Sequence, residues 1–136
     1  MKLFIFSFLS LIFSSTIILF DVKPQDPLAE SMSRGSEIYE DFCMQCHLPN
    51  GQGVEHVNPP LAKSDFLMQN RDASIRSIKY GLNGEIVVNG KTYNGFMQPM
   101  GLDDDEIADV MNYITNSWGN KNDTMVTEAE VTAIKK

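Results

Sequence analysis

At 136 residues the chain has room for one small domain plus extensions. All 18 Asp and Glu follow residue 20, against ten Lys and Arg there once Lys2 is set aside, so this part carries a net charge of about −8. That balance argues against nucleic acid as a partner and suits a solvated surface that can be steered toward a basic docking patch.

Lys2 precedes an uncharged run from Leu3 to Phe20, rich in Phe, Ile and Leu. It reads as a signal peptide or an N-terminal membrane anchor over residues 1–20 and stands outside the fold. The run is just long enough for a span of roughly 20 residues, and no small-x-small cleavage site precedes Asp21. Both alternatives therefore stay open, soluble after cleavage or tethered to a membrane through residues 3–20. A lipoprotein is excluded, because no cysteine closes the run. Either route delivers the domain to a periplasmic or other extracytoplasmic space, where thiols oxidise. Residues 21–30 contain Pro24 and Pro27 among polar residues and read as a linker. From Ser33, a fair N-cap, the residues Gly35, Ile38, Tyr39 and Phe42 form an apolar stripe at helical spacing. Glycine costs about 1 kcal/mol inside a helix relative to alanine, so Gly35 is either simply tolerated or marks close approach by another element.

That helix runs into Cys43-Met44-Gln45-Cys46-His47, where both cysteines and one of the two histidines meet. Two thiols at this spacing can take up the two vinyl groups of one haem, and a histidine directly after them lies under the porphyrin, within reach of the iron. A dithiol redox motif would use the cysteines alone, but it opens a helix within a βαβ pattern that is not visible here. A zinc site would need all of Cys43, Cys46, His47 and His56, with the adjacent Cys46 and His47 on one tetrahedral ion. A disulfide across two residues closes too small a loop to stabilise much. Haem attachment alone gives His47 a purpose.

Beyond the motif, Leu48 to Gly53 is a turn cluster, and His56 has no partner pattern and reads as a surface residue. Pro59-Pro60-Leu61 forces extended backbone whose free carbonyls can accept the second ring N–H of His47. Ser64 and Asp72 read as caps of two short helices, the second ending at Tyr80-Gly81. Two β-prone runs over 85–93, joined by Asn89-Gly90, predict a hairpin. Phe96 to Leu102 then sets Met97 and Met100 in a loop, and a thioether beside a haem motif is a natural sixth ligand. Asp103 to Trp118 is the strongest helix, opened by a capping box from Asp103 to Glu106 and buried through Ile107, Val110, Met111, Ile114 and Trp118. The acidic run at its start complements the helix dipole and calls for no metal. Residues 120–136 read as a polar tail, with one short amphipathic helix hinted at through Val131 and Ile134.

Taken together, residues 31–119 resemble the class I cytochrome c family, on Gly35 and Tyr39, the CMQCH motif, Pro59-Pro60-Leu61, the methionine loop and a last helix running from Asp105 to Asn120. The last segment looks most like the small single-haem domains that accompany bacterial dehydrogenases, nitrite reductases and terminal oxidases. The resemblance implies an all-α cytochrome c fold, three to five short helices wrapped around one covalently bound haem c, with one small β-hairpin. It implies thioethers from Cys43 and Cys46, iron ligation by His47, and the Pro59 carbonyl on the histidine ring, with Pro60 as the alternative. It implies that Gly35 and Tyr39 meet Val110 and Tyr113 where the first and last helices cross. Similar domains place the ligating methionine five residues before the leucine that precedes the last helix, which selects Met97 over Met100. Gln98 departs from the proline common after that ligand and keeps Met100 in play. The implied function is one-electron transfer between a redox protein donor and acceptor, an oxidoreductase or terminal oxidase, with no substrate chemistry. The rival readings are a haem enzyme or gas-binding sensor with an open axial site, and a thiol-disulfide oxidoreductase.

Overall fold

The structure, a computed structural model, describes residues 26–136. The expected leader and the first half of the expected linker lie outside the described residues. Among those described, no helix is long and apolar enough to cross a membrane.

The first helix, α1 (Pro27–Phe42), begins well before Ser33 and takes in the second half of the expected linker. Pro27 occupies the first turn, where a proline lacks nothing it would otherwise donate, and the Asp26 side chain accepts from the Leu28 N–H at 3.0 Å. Asp-Pro is thus a helix start rather than extended chain. A single turn, α2 (Met44–His47), follows, then α3 (Asp65–Gln69), capped by Ser64 as expected, and α4 (Arg71–Tyr80). The cap of α4 is Asn70 rather than Asp72, because α3 ends one residue earlier and the Asn70 carbonyl already accepts from the Ser74 N–H. Strands β1 (Leu82–Val88) and β2 (Lys91–Met97) form the hairpin, in register from Val88 opposite Lys91 to Leu82 opposite Met97. Its turn is Asn89-Gly90, both at positive φ, the geometry that matches strand twist.

The last long helix, α5 (Asp104–Ile114), crosses α1 at Gly35, where an added Cβ would lie 2.1 Å from the Asp109 carbonyl oxygen and 2.9 Å from the Tyr113 Cβ. Close approach therefore accounts for the glycine. The residues met are Asp109 and Tyr113, while Val110 turns toward the cavity described below. The crossing also holds a polar network: Asp109 accepts from Ser31 Oγ at 2.6 Å and from Arg34 at 2.5 and 2.8 Å. The expected capping box is present, with Glu106 accepting from the Asp103 N–H at 2.8 Å. The helix stops at Ile114, short of Trp118. Thr115, Asn116 and Ser117 turn their side chains back onto the carbonyls of Met111, Asn112 and Tyr113, offering local bonds that compete with further helix.

Residues 120–136 contain the short helix hinted at through Val131 and Ile134, and they pack against the rest of the domain. That helix, α6 (Glu128–Ala133), brings Val131 into the same core as Val126, Ile75, Ile107 and Met111. Asn112 binds the Val126 backbone at both its carbonyl and its N–H, at 2.9 and 2.7 Å. Arg71 reaches the carbonyls of Thr124 and Met125 and pairs with Glu130, while Lys79 holds the Val131 carbonyl and Asp104. Hydrogen bonds from Arg71 hold the Glu130 carboxyl below its ordinary range, and those from Lys79 and Thr132 do the same for Asp104. A depressed carboxylate contributes stability above its unfolded pKa and loses it as pH falls through the folded value. Amide protection at Val126 and Val131 is therefore expected to fall below about pH 4, ahead of α1 and α5, with the acid step diminished in Glu130→Gln. Hydrogen exchange followed against pH checks this.

Candidate haem-binding site

Cys43 closes α1, its N–H on the Tyr39 carbonyl at 2.9 Å, and α2 folds back so that the N–H groups of Cys46 and His47 both reach the Cys43 carbonyl. This tight turn sets Cys43 half-buried and Cys46 exposed along one side of a cleft. Leu48 leaves the turn at φ +64°, a costly conformation for leucine, and Tyr39 secures it by donating its hydroxyl to the Leu48 carbonyl at 2.7 Å. Beyond it the loop packs too closely for side chains. A Cβ on Gly51 would lie 2.5 Å from the Trp118 ring, and one on Gly53 2.4 Å from the Asn58 carbonyl.

The loop thereby returns Pro59 to His47, whose Nδ1 lies 3.0 Å from the Pro59 carbonyl oxygen. A carbonyl only accepts, so the proton sits on Nδ1 and the lone pair of Nε2 is left for a metal. Burial lowers the His47 pKa and the bond to Pro59 opposes it, which leaves a neutral ring at pH 7. Burial, with the neighbouring Cys46 second, pushes the Cys43 thiol up to about 11. A thiol-disulfide catalyst needs the opposite, a thiol ionised near neutrality.

The cleft beside these residues has a deep part, whose lining side chains are buried or half-buried, and a mouth ringed in part by exposed ones. The deep part is lined by Cys43, His47, Ile78, Ile86, Met97 and Val110 among others, almost entirely with carbon. Met97 lines both parts, whereas Met100 lines the mouth alone. The two do not share one loop as the sequence suggests, because β2 extends to Met97 and pairs it with Leu82. Gly81, legible in the sequence only as a helix end, makes this possible: at φ +81° its Cβ position lies 2.6 Å from the Met97 carbonyl oxygen. Tyr39 meets Tyr113 as expected, and Trp118, whose place beside them the sequence does not show, completes an aromatic cluster behind the motif with ring centroids 4.9 to 5.6 Å apart. His56 is exposed, 3.6 Å from Glu55, and takes no part in the cleft.

Two thiols on one rim, a neutral imidazole aimed by a carbonyl, a thioether on the same cavity and apolar walls fit a covalent haem in chemistry. This donor set defines a c-type haem protein. The chain belongs to the cytochrome c family, whose model, described as Cytochrome c, matches residues 32–118. Its cofactor is one haem c, bound through Cys43 and Cys46, as the family's covalent attachment requires. Among curated relatives, a cytochrome c-552 of Thermus thermophilus is 41% identical over 97 residues, covering 68% of this chain and 65% of that protein. The cytochrome c subunit of the quinone-dependent alcohol dehydrogenase of Gluconacetobacter polyoxogenes is 32% identical over 105 residues, covering 74% of this chain and 22% of that protein. The chain thus spans a little under two thirds of the first relative and a fifth or so of the second.

Proposed function

We propose that this protein is an exported monohaem cytochrome that carries one electron at a time between redox proteins of a respiratory or dehydrogenase-linked chain. The observation that carries the proposal is that His47 and Met97 line one apolar cavity, the histidine already oriented by Pro59. In this reading His47 Nε2 and the Met97 thioether would hold the iron from two elements already fixed in the fold, so a change of oxidation state would need little rearrangement of the chain. When bound, the haem supplies a reversible iron(III)/iron(II) couple, which a soft thioether biases toward iron(II). The chain's residues do the rest. Pro59 fixes the ring, the carbon walls exclude water, and Cys46 keeps one edge of the cofactor at the surface.

Around that edge Phe42, Val57 and Phe96 expose apolar side chains at the mouth, suited to brief contact with a partner. The partner would be an oxidoreductase donor or a terminal acceptor, in keeping with the relative that is a dehydrogenase subunit. The uncharged run at 3–20 supports an extracytoplasmic location, free or tethered.

Visible spectra of the protein matured with covalent haem test the reading. Low-spin bands in both oxidation states, a weak far-red band of thioether-ligated ferric iron and no binding of carbon monoxide at neutral pH are expected. Carbon monoxide binding to the unmodified ferrous protein would instead favour an enzyme or sensor.

A further inference from the structure

We infer that the Ser74 hydroxyl donates a hydrogen bond to one propionate of the haem, an assignment that rests on the haem reading above. Ser74 lies on α4 and is 6% exposed, and its Oγ is the one buried side-chain polar atom among the described residues with no hydrogen-bond partner. An unmet buried hydroxyl is costly, so its partner is missing from the protein itself. The residue lines the deep part of the cleft.

Two other serines line that part, and both are engaged. Ser77 Oγ donates to the Ala73 carbonyl at 2.7 Å, and Ser64 Oγ accepts from the Leu67 N–H at 3.1 Å as the cap of α3. No Lys, Arg, Tyr, Asn or Gln lines the deep cavity. Haem chemistry supplies the complementary need. The vinyl groups sit on two neighbouring pyrroles and the propionates on the other two. Thioethers to Cys43 and Cys46, the latter at the mouth, would hold the vinyl side of the haem at that rim and leave the propionates on the opposite side, where the proposal sets one of them against the inner wall. An ionised carboxylate delivered there is an acceptor without a donor, and Ser74 is a donor without an acceptor. Rotation about one bond, Cα–Cβ, presents the hydroxyl to the cavity.

The test uses the mature haem protein, with Ser74→Ala, Ser74→Thr and Ser77→Ala. Resonance Raman spectra report the propionate bending band directly, and a midpoint potential is measured beside them. Ser74→Ala is expected to move the band to lower wavenumber and to lower the potential, since the carboxylate then keeps more of its charge near the iron. Ser74→Thr, which retains the hydroxyl, restores both, and Ser77→Ala moves neither. An unmoved band in Ser74→Ala overturns the assignment and returns the hydroxyl to its own helix. A moved far-red band with an unmoved propionate band also overturns it, giving the hydroxyl to the Met97 sulfur. Absence of covalent haem from the unmodified protein, seen before any variant is made, would sink the haem reading itself.

Discussion

Gly35→Ala is expected to lose more than about 3 kcal/mol of folding stability, at or beyond the upper end of ordinary overpacking. The methyl group would stand 2.1 Å from the Asp109 carbonyl oxygen and 2.5 Å from its carbon. Those are backbone atoms in the middle of α5, so no rotamer change relieves the clash and the helices must separate. Separation loosens Tyr39 from Tyr113, and with it the hydroxyl that holds Leu48 behind the haem motif. The variant should therefore unfold at lower guanidinium and mature with less covalent haem. Helix propensity alone would make alanine the more stable choice by about 1 kcal/mol. A measured gain in stability would mean that α1 and α5 do not approach as described.

The second large effect concerns the iron. Met97→Ala should abolish the far-red band, admit carbon monoxide and cyanide, and lower the potential by on the order of 0.1 V or more, within the span of about 0.8 V that axial ligands command. Met100→Ala should leave all three nearly unchanged, because Met100 reaches the mouth of the cleft only. The opposite pattern would move the ligand to Met100. Paired spectra and potentials of the two variants decide between them.

The hydrophobic spacing of α1 and α5, the Asn-Gly turn and the CxxCH motif are all readable, because each is a local pattern with a local cause. The start of α1 is not, because proline both breaks helices and opens them, and only the Asp26 cap distinguishes the two. The end of α5 is hidden because Thr115, Asn116 and Ser117 are ordinary in a helix until their side chains turn back on its carbonyls. In the tail the short helix is hinted at through Val131 and Ile134, but its seat in the core is not, because Arg71, Lys79 and Asn112, which hold this segment, are partners far away along the chain. At the site, His47 and a proline carbonyl on its ring are readable from the motif and the Pro-Pro pair, whereas the room that Gly51 and Gly53 make for that bond, and Gly81 for Met97, is not.

The carboxylate at the helix crossing has a consequence for how the molecule assembles. Two greasy helices can slide along each other at little expense, whereas Asp109, 8% exposed and held by Ser31 and Arg34, permits a single alignment. Slippage of α1 by one turn, about 5.4 Å, would carry Ser31 and Arg34 away from that carboxylate and leave it without its partners. Because α1 runs straight into Cys43, the lock that sets the helices also sets where the thiols stand. The chain thus offers its attachment chemistry in one orientation, and the buried carboxylate works as an indexing pin for a reaction carried out at the far end of the helix.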